Sequence, residues 1–255
     1  MAPKLEVEQL GKTYVSEDGE KIVALKGLDL QVAAGEFLAI VGPSGCGKST
    51  LFDILAGFQK QSTGTVRIDG EEPEELIGRL AYMQQRDMLM PWRTVLDNTI
   101  LALETSGVKR REARKVARAQ LPRFGLAGFE DLLPKEMSDG MRQRAALLRT
   151  YLAGREILLL DEPFAALDAH TRQLMREWLM EVWSADRKTI LFVTHDVEEA
   201  VFLSDRACAM TPRPGRIAAT IDIDLPRPRV LETIAEPAFI ALRKRLREPL
   251  GDSVP

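Results

Sequence analysis

The stretch Gly42-Pro-Ser-Gly-Cys-Gly-Lys-Ser-Thr50 constrains this 255-residue chain more than any other. It follows the short apolar run Glu36 to Val41 and precedes Leu51, Ile54, Leu55 and Phe58, which recur at helical spacing. Gly42, Gly47, Lys48 and Ser49 match the pattern Gly-x-x-x-x-Gly-Lys-[Ser/Thr] in full, in the strand, loop and helix context the pattern requires. Glycines let such a loop turn tightly, so that backbone N–H groups and the positive end of the following helix converge on a phosphate. Lys48 adds a full charge at the outer phosphate oxygens, and Ser49 supplies a hydroxyl to Mg²⁺, a hard cation that prefers oxygen ligands. Pro43, Ser44, Gly45, Cys46 and Thr50 complete the candidate phosphate-binding set, with Cys46 read as a small residue that fills the loop.

A second constraint lies downstream. Ile157-Leu-Leu-Leu-Asp161-Glu162 is an apolar run ending in two carboxylates, and in a parallel sheet such strand ends open onto a ligand crevice. Asp161 is expected to hold Mg²⁺, and Glu162, one residue further, to polarise an attacking water. His195 follows the apolar run Leu191-Phe-Val-Thr194, so it is expected at the same crevice, with its imidazole reaching the γ-phosphate. His170 is read as an ordinary surface residue. Helical sequence from Ala169 to Trp183 separates the two buried runs, and this alternation predicts a right-handed parallel α/β core.

The remaining segments fill in around that core. Leu5 to Leu10 and Lys21 to Val32 read as a strand pair across the turn residues Ser16 to Gly19, and Val66 to Ile68 and Leu80 to Met83 as further strands. Trp92 to Leu152 is mostly helical in pattern, broken at Gly107, Pro122, Gly125, Gly128 and Pro134, and reads as an inserted lobe. Ala207 to Met210 and Gly215 to Ile223 are strand candidates, followed by a charged helical tail from Val230 to Arg247. The 35 basic against 38 acidic side chains exert no overall pull on nucleic acid, and the basic run Lys109 to Arg118 reads as a solvated helix face. Cys46 and Cys208 have no partner at metal or redox spacing, which makes a reducing compartment the default. No apolar stretch approaches the roughly 18 to 20 residues that span a bilayer, so membrane association is expected through a partner.

Met137-Ser-Asp-Gly-Met-Arg-Gln-Arg144 resembles the Leu-Ser-Gly-Gly signature of the ABC transporter ATPases, and from Tyr14 to Ile217 the order of motifs is similar to that family. The resemblance implies an α/β fold: a P-loop NTPase (RecA-like) core with an antiparallel β subdomain and an inserted α-helical subdomain. It implies a single ABC ATPase domain over 1–255, with the helical subdomain near 87–153 and a tail near 229–255. By the same resemblance Ser138, Asp139, Gly140 and Met141, at a helix start, clasp the γ-phosphate of ATP held by the opposite subunit. Gln85, with Gln84 as the other register, senses Mg²⁺ and the transmembrane partner, and Asp168 lies in a loop crossing the dimer interface. Tyr14 either stacks on adenine or packs locally.

One position departs from the family pattern, which usually has glycine where this chain has Asp139. A carboxylate there is expected to repel the facing γ-phosphate or to distort the amide nest, and so to make turnover slow or partner-dependent. Aspartate tolerates φ > 0 better than most residues, so the backbone geometry can survive. Met88-Leu-Met-Pro-Trp92 reads either as core of the helical lobe or as a docking groove for a short cytoplasmic helix of a membrane subunit.

The runs Pro91 to Asn98, His195 to Ala200 and Pro212 to Ile217 are similar to importer ATPases of the nitrate, sulfonate and taurine group. The resemblance implies ATP and Mg²⁺ as ligands, a second nucleotide-binding subunit that makes a homodimer, transmembrane permease subunits, and a solute-binding protein reached indirectly, with no nucleic acid. The implied location is the cytoplasmic face of the inner membrane, peripheral through the permease. Two rival readings are a soluble ABC ATPase without a permease, which would carry tandem cassettes or a long coiled-coil insertion, and a nucleotide-sensing module with weak turnover, which Asp139 favours.

Overall fold

The computed structural model describes residues 3–253. Its centre is β3 (Phe37–Val41), five residues that are all buried, lying parallel between β7 (Thr189–Thr194) and β8 (Arg206–Met210). β5 (Ala81–Met83) and β6 (Ile157–Asp161) extend the sheet on one side and β9 (Ile217–Asp222) on the other, in the order β5-β6-β7-β3-β8-β9. All neighbours are parallel except β8 and β9, which form an antiparallel pair. Strands covered on both faces must be apolar throughout, because successive side chains point to opposite faces. β3 divides accordingly: Phe37, Ala39 and Val41 pack into one core with Ala146, Trp183 and Phe202, and Leu38 and Ile40 into another with Leu5, Leu30 and Phe52.

The second core is closed by a three-stranded antiparallel sheet of β1 (Leu5–Val15), β2 (Lys21–Val32) and β4 (Thr63–Ile68), in the order β2-β1-β4. β1 runs past the expected end at Leu10 because Thr13, Tyr14 and Val15 continue the ladder opposite Val23, Ile22 and Lys21. α1 (Lys48–Leu55) lies in this core through Leu51, Phe52, Ile54 and Leu55.

Helices cover the other face. α2 (Val95–Thr99), α3 (Leu101–Thr105), α4 (Arg110–Gln120) and α5 (Asp139–Tyr151) are inserted between β5 and β6, and α6 (Ala169–Asp186) and α7 (Val197–Leu203) flank β7. The basic run on α4 is only partly a solvated face. Arg110 and Arg114 converge on Asp97, which is 8% exposed, at 2.5 Å and 2.7 Å. The tail is not one helix from Val230: a 3-10 turn at Leu231–Ala235 precedes α8 (Pro237–Arg247). Pro237 can open a helix but not continue one, and Phe239 and Leu246 then anchor α8 in the core. No helix among the described residues is long and apolar enough to cross a membrane.

Candidate active site

The loop between β3 and α1 is shaped by close backbone packing. Gly47 caps α1 at φ 108°, and a Cβ there would meet Leu25 Cδ2 at 2.7 Å, so both conformation and space require glycine. The segment after β8 lies against the loop: a Cβ on Gly215 would fall 2.1 Å from the Cys46 carbonyl oxygen. Lys48 is 5% exposed, and its Nζ donates to the carbonyls of Gly42 (2.7 Å) and Pro43 (3.0 Å). Cys46 is buried with Sγ 3.7 Å from Lys48 Nζ, and burial pushes its thiol up despite that charge, so it stays protonated.

Asp161 ends β6 at 4% exposure. Burial pushes its carboxyl up, and hydrogen bonds from Tyr82 (Oη to Oδ2, 3.1 Å) and Ser49 oppose the shift. Glu162 leaves the strand at φ 45°, a left-handed conformation that costs a non-glycine residue about 1 kcal/mol. Its N–H donates to Val193 O at 2.9 Å, which fixes the turn. The Glu162 carboxylate is the hub of the site. Oε2 accepts from Gln85 Nε2 at 3.3 Å and lies 3.2 Å from His195 Nδ1, and Oε1 lies 3.9 Å from Lys48 Nζ. Lys48 follows β3, Gln85 follows β5, Glu162 follows β6 and His195 follows β7, so the group stands where parallel strands deliver ligand-facing residues.

Tyr14, Ser44, Gly45, Ser49, Thr50 and Arg213 line the same cleft as Lys48, Gln85 and Glu162. Tyr14 Oη is 3.5 Å from Thr50 Oγ1, and Lys12 Nζ sits 5.1 Å from the centre of its ring. Of the two glutamines, Gln85 is the one in the cleft; Gln84 is half-buried beside it.

Ser138 to Met141 lie apart from that cleft. Ser138 caps α5, accepting from Met141 N at 3.3 Å, and both Ser138 and Asp139 are exposed. Arg142 clasps the Asp139 carboxylate, donates to Met137 O (3.0 Å) and reaches Asp87 Oδ2 (3.2 Å). Gln85 borders both the cleft and the neighbouring groove that holds Asp139 and Arg142. Asp168 caps α6 through the N–H groups of Thr171 (3.0 Å) and His170 (3.1 Å), and its hydrogen bonds to Thr171 and His170 hold its carboxyl below the usual range. His170 itself is exposed. The run Met88 to Trp92 divides: Leu89 is buried, and Met88 and Trp92 are 54% and 75% exposed.

Several residues that hold the site escaped the sequence reading. Tyr82 is one. Asn98 is fully buried and donates from Nδ2 to Met90 O, Arg93 O and Thr94 O, and Arg149 donates to Asp87 O and Met88 O, so together they fix the segment after Gln85. Arg176, 4% exposed, reaches Asp196 (2.8 Å), Glu198 (3.0 Å) and Glu199 (3.4 Å) directly behind His195. Asn98 stands between Asp97 and Thr99, so the local polar pattern gave no signal that it is buried.

A phosphate loop, two carboxylates and a histidine on one parallel-sheet edge, with a helical lobe inserted between β5 and β6, define a nucleotide-hydrolysing phosphate-loop protein. Residues 25–165 match the ABC transporter family, and the chain belongs to it as an ATP-binding, ATP-hydrolysing subunit. It is related to the nitrate, sulfonate and taurine group of importer ATPases. An uncharacterized ABC transporter ATP-binding protein of Methanocaldococcus jannaschii is 44% identical over 254 residues, covering 100% of this chain and 94% of the relative. The taurine import ATP-binding protein of Rhizobium johnstonii is 39% identical over 249 residues, 95% of each chain. Among solved structures, a dimeric ATP-binding cassette in a post-hydrolysis state bound to ADP and Pi has a TM-score of 0.76 and 30% identity, over 87% of this chain and 99% of that one.

Proposed function

We propose that this chain energises import of a small solute of the nitrate, sulfonate or taurine kind, two copies closing around two Mg·ATP to drive a membrane permease. The observation that carries the reading is the Glu162 carboxylate, within 3.2 to 3.9 Å of His195, Gln85 and Lys48. Gly42 to Thr50 receive the phosphates, with the Lys48 ammonium on the outer oxygens. Ser49, Asp161 and Gln85 would hold Mg²⁺: their hydroxyl, carboxylate and amide oxygens form the hard donor set this cation takes when it also leans on substrate phosphates. When bound, the ion neutralises charge on those phosphates. Glu162 orients the attacking water and takes its proton, with His195 and Gln85 fixing the carboxylate, and Tyr14 stacks on adenine.

Ser138, Asp139, Gly140 and Met141 serve the ATP of the second subunit, and the Asp168 loop meets that subunit. Support for the pair comes from the dimeric cassette that this chain is similar to, and Ser138 to Met141 do not line their own cleft. The taurine import relative supports the direction of transport. Exposed Met88 and Trp92 fit a permease helix, through which a solute-binding protein acts indirectly, at the cytoplasmic face of the inner membrane. The test is size-exclusion chromatography of Glu162→Gln with Mg·ATP. A shift from monomer to dimer is expected, since blocked hydrolysis traps the closed pair. A persistent monomer would withdraw the homodimer for the isolated chain.

A further inference from the structure

Besides Ser49, the buried Asp161 carboxylate has one side-chain donor that the site described above leaves without a role. Tyr82 Oη donates to Asp161 Oδ2 at 3.1 Å. Tyr82 is the middle residue of β5, paired in parallel register with Leu159, so its phenol reaches along β6 to the strand's last residue. The ring is fixed from two sides. Phe52 meets it edge-on at 5.9 Å and 87°, and Phe58 lies tilted at 5.9 Å and 42°. Aromatic contacts of this geometry orient a ring, and they aim the half-buried phenol at the Asp161 carboxylate. Asp161, at 4% exposure, has no bulk water to replace that donor.

We propose that Tyr82 is a positioning residue for the metal: its hydroxyl holds one oxygen of Asp161 and thereby leaves the other, with Ser49, to the cation. The proposal rests on Asp161 as a Mg²⁺ ligand. Groups that orient a metal-binding side chain act on affinity through geometry, because a carboxylate free to rotate must be ordered again when the ion enters. Tyr82→Phe removes the hydroxyl and keeps the ring between Phe52 and Phe58, so it separates positioning from packing.

The experiment uses the full chain with a non-hydrolysable ATP analogue and Mn²⁺ as the probe, read by the electron paramagnetic resonance of free ion. Tyr82→Phe is expected to weaken Mn²⁺ about tenfold, with metal-free binding of the analogue, measured in EDTA, unchanged. Unchanged Mn²⁺ affinity would overturn the proposal. An equal loss of metal-free nucleotide affinity would also overturn it, because the hydroxyl would then be supporting the phosphate loop. Asp161→Asn distinguishes the underlying reading: if it leaves Mn²⁺ affinity intact, Asp161 is no ligand and the premise fails first.

Discussion

In the cleft Lys48 and Asp161 are buried and the polar groups pair with one another, whereas at Ser138 they stand at the surface. Lys48 and Asp161 are 5% and 4% exposed, and the residues that follow β3, β5 and β7 close on Glu162, which follows β6. Ser138 and Asp139 are exposed at the start of α5, where the first N–H groups of a helix have no intrahelical acceptor. Both places suit an anion, one by converging charge and loop amides, the other by a helix terminus. One cleft is preorganised by the chain's own core, and the other surface is open to solvent; in the proposed pair it would be completed by the second copy.

The largest effect expected from this contrast is on turnover. Glu162→Gln should lower the steady rate of phosphate release by roughly 10² to 10⁴, the span of a lost general base, while a fluorescent ATP analogue binds as before. Binding that falls along with turnover would show that Glu162 holds nucleotide instead of acting on water.

Stability should divide in the same way. Arg176 and Arg142 each bridge carboxylates, but Arg176 is buried among Asp196, Glu198 and Glu199, and Arg142 is on the surface between Asp87 and Asp139. Burial pushes the Glu199 carboxyl up, and Arg176 opposes that shift, so the pair depends on its partner. Arg176→Met should cost about 3 kcal/mol, because it leaves the buried Glu199 with Arg172, at 3.8 Å, as its cation and the Thr194 hydroxyl as its donor. Arg142→Met should cost roughly 0 to 1 kcal/mol, as exposed pairs do. Urea denaturation of both variants checks this, and equal losses would mean that the signature surface is as much a part of the core as the cleft.

What could be read in advance follows the range of the interactions. The phosphate loop, the buried strands β3, β6 and β7, and the carboxylates at the end of β6 were legible because each is written in a few consecutive residues. Tyr82 and Arg176 were not: their partners lie 79 and 20 to 23 residues away, and no local period encodes such a pairing. Glu162 was legible as a carboxylate but not as a left-handed residue, because φ 45° comes from its hydrogen bond to Val193 on the neighbouring strand. Arg142 lies three residues after Asp139, at the spacing where side chains on one helix face meet, so that pairing is encoded locally.

That pairing sharpens the smallest effect. A bare carboxylate at Asp139 would oppose an incoming γ-phosphate, but here a guanidinium clasps it, and an acidic side chain in the first turn also suits the helix dipole. Asp139→Gly should therefore change the ATPase rate by no more than about threefold, the scale of an exposed ion pair. Arg142→Met should slow the chain more, by uncovering Asp139, and the double substitution should recover part of that loss, a coupling that a double-mutant cycle isolates. If Asp139→Gly alone accelerates hydrolysis by a much larger factor, the clasp does not neutralise the carboxylate, and Asp139 is the brake on turnover that its departure from the family pattern suggests.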